Sequence, residues 1–221
     1  MNRMVERERF QKAMNMIQHD IIKMGGLVEE SIGKALESLR NQDLEMAADV
    51  FKIDDLIDEL ELKIEDACIK LIATQQPTAR DLRKVSSTFK ITTNLERMGD
   101  YAGGIAKATL TIGREPLIKP LIDIPRMAFL AQKMVKDVLD AYVREDEGLA
   151  KDIGSADDEV DSLHNQVFNE LVLIMVKDPR NINQAAQLLL ISRALERIAD
   201  HATNIAERVV YVVSGKRVNL N

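Results

Sequence analysis

Carboxylates recur in this chain in pairs spaced four residues apart: Asp54 with Asp58, Glu96 with Asp100, Asp157 with Asp161, and Glu196 with Asp200. On an α-helix that spacing stacks both side chains on one face. Glu61 and Glu65 continue the first row, and His164 and Phe168 stand at the matching places of the third. Like charges so placed repel by about 0.2 to 0.5 kcal/mol per pair, and the chain repeats that penalty in both halves. A cation held between them would offset it. Carboxylate oxygen suits hard or intermediate cations such as magnesium, manganese or iron, with zinc a further candidate. The alternative is a solvated or partner-facing acidic surface, its charges answered at i,i+3 by Arg97 with Asp100, Arg193 with Glu196 and Arg197 with Asp200. Such pairs contribute about a few tenths of a kcal/mol each. The residue pattern by itself leaves both readings open.

The elements that position these acids come in two sets. LERMGDYAGGIAK begins at Leu95 and LERIADHATNIAE at Leu195, a duplicated stretch. Upstream of it, Ile21 matches Ile124, Met24 matches Met127, Leu27 matches Leu130, Leu36 matches Leu139, Asp54 matches Asp157 and Leu60 matches Leu163, all 103 residues apart. The separation falls to 100 at the duplicated stretch, so three residues are missing from the turn before it in the second half. Apolar positions recur at helical spacing throughout. They predict helices over residues 4–40 and 44–73, a third from a Thr78–Asp81 capping box to residue 112, then helices over 124–142 and 149–176, and a sixth opened by Asn181 with Gln184 as a second capping box. In the second helix Ile53, Ile57, Leu60, Ile64, Ala67 and Leu71 form the apolar stripe. In the sixth it runs through Leu188, Ile191, Leu195, Ile198, Ala202, Ile205, Val209 and Val212. Gly25 and Gly26 interrupt the first helix at about 1 kcal/mol each against alanine, which predicts a close helix contact or a bend. Residues 113–123, with Pro116 and Pro120, read as the linker. No period-two pattern occurs, so the expected fold is all-α: two three-helix bundles related by internal repeat, over residues 1–115 and 116–221, forming a six-helix protein. Glu196, Asp200 and Asn204 fall on the side of the sixth helix away from its stripe, which predicts that they face water or a surface groove.

Composition narrows the function classes. With 221 residues, 46% of them hydrophobic and 30% charged, the chain can bury a full core. Its net charge of -6 and lack of a basic run argue against a nucleic-acid partner. A single cysteine, Cys68, excludes an internal disulfide or a cysteine-built cluster within one chain, and reads as a buried small hydrophobe. A reducing, cytoplasmic setting fits that count. The N-terminus carries charge where a signal peptide needs an apolar core, and the longest aliphatic run is Leu171 to Val176, so direct membrane insertion is not expected. Asp161 with His164 spaces like half of a di-iron site, but the bundle enzymes need two Glu-x-x-His motifs, which are absent. His19 and His201 read equally as surface residues or ligands. No phosphate-cradling glycine loop, nucleophile elbow or zinc-protease helix occurs, so no enzyme is expected.

Several stretches together resemble one family: DDLIDELELKIE and DDEVDSLHNQVF in the second and fifth helices, RDLRKVSSTFKITTNLERMGDYAGGIAK in the third, and RNINQAAQLLLISRALERIADHATNIAE in the sixth. They are similar to the phosphate-uptake regulator family PhoU, over nearly the whole length. The resemblance implies an all-helical pair of three-helix bundles, often homodimeric. It further implies a cytoplasmic negative regulator that bridges the phosphate ABC transporter, through its ATP-binding subunit, and a sensor histidine kinase. It also implies multinuclear iron or zinc clusters at paired acidic motifs. Carried over by position, those motifs fall on Asp54, Asp58, Glu96 and Asp100 in repeat one, and on Asp157, Asp161, Glu196, Asp200 and Asn204 in repeat two. Repeat one has Gly104 where the signature has asparagine, which implies a weaker site there. Two other classes stay in view: a carboxylate-bridged metalloenzyme, and a metal-free adaptor whose acidic faces dock basic partners. A turnover assay on metal-loaded protein separates the first, and elemental analysis the second.

Overall fold

The computed structural model describes the backbone of residues 2–220 and the side chains of residues 7–220. Among these residues six long helices and no strand occur: α1 Asn2–Asn41, α2 Leu44–Gln75, α3 Ala79–Ile112, α4 Asp123–Arg144, α5 Glu147–Lys177 and α6 Ile182–Ser214. A one-turn 3-10 segment, Pro179–Asn181, leads into α6.

The first turns of the two repeats match bond for bond. Gln42 and Glu145 both take the left-handed conformation, at φ 51° and 52°. The next amide then reaches back one turn, from Asp43 to the Ser38 carbonyl at 2.9 Å and from Asp146 to the Ala141 carbonyl at 3.0 Å. Each aspartate caps the helix that follows. Asp43 accepts from the Glu45 and Met46 amides, both at 3.0 Å, and Asp146 from those of Gly148 and Leu149 at 2.9 and 3.0 Å. Orphan carbonyls and orphan amides are thereby satisfied in one motif. The second turns differ. Gln76 to Thr78 separate α2 from α3, whereas only Asp178 stands between α5 and the 3-10 segment, and the change of register falls there.

Neither predicted capping box forms. Thr78 is the N-cap of α3, but its hydroxyl makes no capping bond. Asn181 sits in helical backbone and caps nothing through its side chain. Gln184 is turned to the linker instead: its Oε1 accepts the Ile118 amide at 2.6 Å and its Nε2 donates to the Pro116 carbonyl at 3.1 Å. The proline-containing linker has no ladder of its own, and Gln184 satisfies two backbone groups that helix geometry leaves unpaired.

α1, α3, α4 and α6 form the centre, with α2 packed on α1 and α3, and α5 packed on α4 and α6. The aliphatic stripes meet in one continuous core. Every member of the α6 stripe is buried, and in α2 Cys68 joins the core beside a half-buried Ala67. The repeats meet between α3 and α6 and between α1 and α4. Residues equivalent by register face each other there. The rings of Tyr101 and His201 lie 5.6 Å apart, and Gln132 donates to the Glu29 carbonyl at 2.9 Å. A pseudo-two-fold axis therefore passes through both seams. Gly25 answers the expectation of a close contact, since a Cβ there would stand 2.0 Å from Leu139 Cδ1 on α4, while Gly26 faces open space. Among the described residues no helix is long and apolar enough to cross a membrane.

Candidate metal centre

Two outer seams, α2 against α3 and α5 against α6, collect all the paired acids. Each is a ladder between antiparallel helices. In repeat two, Asp157 faces the Asp200 charge and Asp161 that of Glu196, and the next rung is a 2.8 Å bond between His164 Nδ1 and Ser192 Oγ. In repeat one Asp54 faces Asp100, Asp58 interacts with Glu96, and Glu61 stands at the third rung, where Thr93 gives its hydroxyl to the Phe89 carbonyl at 3.0 Å.

Glu196, Asp200 and Asn204 are intermediate in burial, as residues lining a surface groove are, and the acid facing them lies deeper. Asp157 is only 6% exposed, and Glu96 and Glu196 keep 17% and 13% of their side-chain surface. Asp58, Asp100 and Asp161 are exposed, while Asp54, Asp200 and Asn204 are intermediate. A helical wheel of α5 or α6 alone misses the partner helix pressed against the acidic row, and the partner removes water from Asp157 and Glu196. Glycines achieve the same in repeat one. A Cβ on Gly99 would lie 2.8 Å from Asp54 Oδ1 and 3.0 Å from Ile57 Cδ1, and one on Gly103 would lie 3.5 Å from Asp54 Oδ2. Asp54 thus settles over bare backbone.

These carboxyls hold protons far more firmly than usual. Burial, then repulsion from Asp200, Asp161, Asp158 and Glu196, pushes Asp157 up to about 7. Burial and Asp100 raise Glu96 to about 7, and burial with Asp100, Asp58 and Asp55 raises Asp54 to about 6. Glu196, Asp58 and Glu61 are also raised, each chiefly by burial. The expected arginine pairs are all present: Arg97 to Asp100 at 2.9 Å, Arg193 to Glu196 at 3.0 Å and Arg197 to Asp200 at 2.9 Å. They leave three buried oxygens without a hydrogen bond, Glu96 Oε2, Asp157 Oδ1 and Glu196 Oε2. Arg97 and Arg197 stand within ion-pair reach of the two glutamate oxygens, at 3.3 and 3.8 Å, but are not aligned to donate. Asp157 Oδ1 has no such neighbour. The donor set is oxygen-rich, partly desolvated and short of positive charge, which fits a hard or intermediate cation. Among the described residues, however, no three such groups stand close enough to grip one ion as they lie.

The histidines divide. His19 is exposed, whereas His201 is half-buried, bonded through Nδ1 to Asn94 Oδ1 at 2.7 Å and tilted by 36° against the Tyr101 ring. Cys68 is buried, which pushes its thiol up to about 12 and leaves it unreactive. The Gly99 and Gly103 cradle escaped the sequence reading, although glycine where repeat two carries Ala199 and Thr203 was its visible signal.

Replacing Gly99 by alanine, the residue repeat two already has, is expected to push Asp54 outward into water and return its proton affinity toward the ordinary carboxylate range. Carboxyl NMR titration of the metal-free protein reads this directly; an unmoved Asp54 titration would refute the cradle.

Comparison with known proteins follows the same two-fold division. The PhoU domain family model matches twice, over residues 21–109 and 124–209. The chain is 40% identical over 216 residues to a phosphate-specific transport system accessory protein PhoU homolog of Clostridium acetobutylicum, covering 97% of this chain and 99% of that one. A homolog of the same description from Aquifex aeolicus is 42% identical, covering 94% of each. Among solved structures, PhoU from Pseudomonas aeruginosa superposes with a TM-score of 0.90 at 35% identity, over 94% of this chain and 100% of that one. The phosphate transport system regulatory protein PhoU from Streptococcus pneumoniae gives 0.88 at 33% identity, over 95% and 99%.

Proposed function

Because the chain belongs to the PhoU family, we propose that it is a cytoplasmic accessory protein of phosphate-specific transport. In this reading it restrains uptake and signalling when phosphate is plentiful, through the ATP-binding subunit of the transporter and a sensor histidine kinase, and acts as a homodimer without catalytic turnover. The observation that carries the reading is the double match across both repeats together with full-length relatives that bear the accessory-protein description. A pull-down of the two partners' soluble domains, with and without phosphate, tests it. Capture of neither at micromolar concentration would overturn it.

The acidic seams are proposed as its metal sites, iron or zinc being the family expectation. Asp54, Asp58, Glu96 and Asp100 would hold metal in repeat one, and Asp157, Asp161, Glu196, Asp200 and Asn204 in repeat two. A bound cation supplies fixed positive charge. With a cation bound, the raised carboxyls would release protons, and Asp100 and Asp200, paired with Arg97 and Arg197 in the metal-free protein, would belong to the ligand set. Support comes from the unpaired, buried oxygen of Asp157 and those of the two glutamates. Repeat two is the tighter site, because Asn204 offers an amide oxygen one turn beyond Asp200 where Gly104 offers none. Asp200→Ala is expected to remove the tighter class of bound metal while leaving the helical content unchanged. Elemental analysis of protein purified without chelator, followed by metal titration of both forms, checks this. Identical isotherms would refute a site at Asp200, and metal-free native protein would favour the adaptor reading.

A further inference from the structure

α6 stops at Gly215, whose left-handed backbone at φ 74° turns the chain back while its amide donates to the Tyr211 carbonyl at 3.0 Å. The residues that follow return along the helix they have just left. The Lys216 amide donates to Ser214 Oγ at 3.1 Å, and the Arg217 guanidinium lies 5.8 Å from the centre of the Tyr211 ring. Val218 and Leu220 are half-buried against the core and Asn219 between them is exposed, the alternation of an extended segment with one face on the protein. Leu220 bridges two helices. Its amide donates to Glu207 Oε1 on α6 at 3.2 Å, and its carbonyl oxygen lies so near α5 that a Cβ on Gly154 would stand 2.8 Å away. Glycine at 154 leaves the room for backbone to pass.

The register of the repeats shows what this crossing replaces. Gly154 matches Phe51, 103 residues earlier, and Glu207 matches Lys107, 100 residues earlier. In repeat one the Phe51 ring reaches from α2 to α3, 3.8 Å from the place a Cβ on Gly103 would take. A side chain closes that end of the seam, and Lys107, which only donates, offers nothing to a passing backbone amide. In repeat two the aromatic ring is gone and the backbone of Leu220 crosses instead. Asp157 stands one turn along α5 from Gly154, and Asn204 one turn along α6 from Glu207, so both closures sit at the same end of their acidic seams. They differ in how they are held. Phe51 moves only with α2, whereas Lys216, Arg217 and Asn219 are exposed and the segment has no regular structure, the marks of a part that opens locally. We propose that residues 216–220 are a removable strap that closes the repeat-two seam at its Asp157 end. That seam opens without unfolding, while Phe51 keeps its counterpart shut. With the strap off, the Gly154 backbone and the Glu207 carboxylate face water, and solutes reach one acidic seam and not the other. The inference is independent of what the seams bind.

Amide hydrogen exchange of the full-length protein, followed by NMR, tests it. The wild-type Leu220 amide is expected to exchange about tenfold or more slower than in an unstructured peptide of the same sequence, yet about a hundredfold or more faster than the Leu195 amide in the middle of α6. Gly154→Ala gives α5 a better helix former but sets a Cβ against the Leu220 carbonyl. It should abolish the protection of Leu220 and leave that of Leu195 undiminished. Deletion of residues 216–221 should raise severalfold the relaxation of the Gly154 α-protons by a neutral, soluble gadolinium chelate, with the Phe51 ring protons unchanged in the same sample. A Leu220 amide as slow as Leu195 would make the segment a fixed part of the fold and overturn its removal. One as fast as the free peptide, protection that survives Gly154→Ala, or Gly154 protons that the deletion leaves unmoved would overturn the closure. Should either variant fail to fold, the two wild-type rates decide alone.

Discussion

In the presence of chelator at pH 8, Asp157→Asn is expected to stabilise the protein by about 1 to 3 kcal/mol, a figure kept below the full shift to allow for screening by water and neighbours. Asp157 titrates near 7 in the fold against 3.8 outside it, so the folded state binds the extra proton. Below the unfolded value both states are protonated and no penalty exists. As pH rises from about 4 to 7 the unfolded chain ionises freely while the fold resists, and stability falls. Above the folded value the penalty is complete. The gap between variant and wild type should therefore be small at pH 4, widen across that window and level off above about 7.5. In thermal midpoint it amounts to about 2 to 4 °C per kcal/mol for a chain of this size. If the seam binds metal as proposed, metal is expected to reverse the sign. A ligand at a hundredfold excess over its dissociation constant adds about 2.7 kcal/mol to the state that binds it, and on the proposed site the amide variant would lack one charged ligand. Thermal melts at pH 4, 6 and 8, with chelator and with metal, give the crossing. A variant less stable than wild type in chelator would show that Asp157 is a structural group.

The second large effect concerns the seam between the repeats. Gly25→Val is expected to cost about 1 to 3 kcal/mol by overpacking, because a Cβ at this position falls 2.0 Å from Leu139 Cδ1, in a place where Leu139 is itself only 6% exposed. Leu139→Ala alone should cost about 2 to 5 kcal/mol through the cavity it leaves. Combined, the two changes should be less harmful than their sum by about 0.5 to 3 kcal/mol, since valine fills part of the space that leucine vacates. Urea unfolding of the four proteins closes the cycle. Strict additivity would mean that α1 and α4 do not depend on this contact.

Gly25 was visible in the sequence as an interruption that needed a neighbour; Leu139 as that neighbour was not. The same limit governs much of what was legible. Six helices, the linker and the 103-residue register follow from apolar periodicity and breakers, which act locally. Asp43 and Asp146 stood at matching positions all along, yet a lone aspartate before a helix looks like any surface acid until its two amide bonds are seen. Gln184 misled because a glutamine three residues after an asparagine has the pattern of a capping box, while its partners Pro116 and Ile118 lie more than sixty residues away. The acidic rows were placed on the right helices, but the burial of Asp157 arises from how closely α5 rests on α6, a distance no single-helix pattern encodes. His164 was noticed beside Asp161; Ser192, which orients it, comes from another helix.

Tyr101 opposite His201 has a consequence for what identical halves could have built. Two separate copies of one three-helix chain, joined about a dyad, must set each axial residue against itself, tyrosine on tyrosine or histidine on histidine. One continuous chain escapes that rule. Its axis can hold a phenol against an imidazole, with Asn94 serving the imidazole from one side only, so the two flanks of the molecule are chemically distinguishable at their very centre. A partner arriving from either flank meets a different face, and a molecule built from doubled parts can still tell its left from its right.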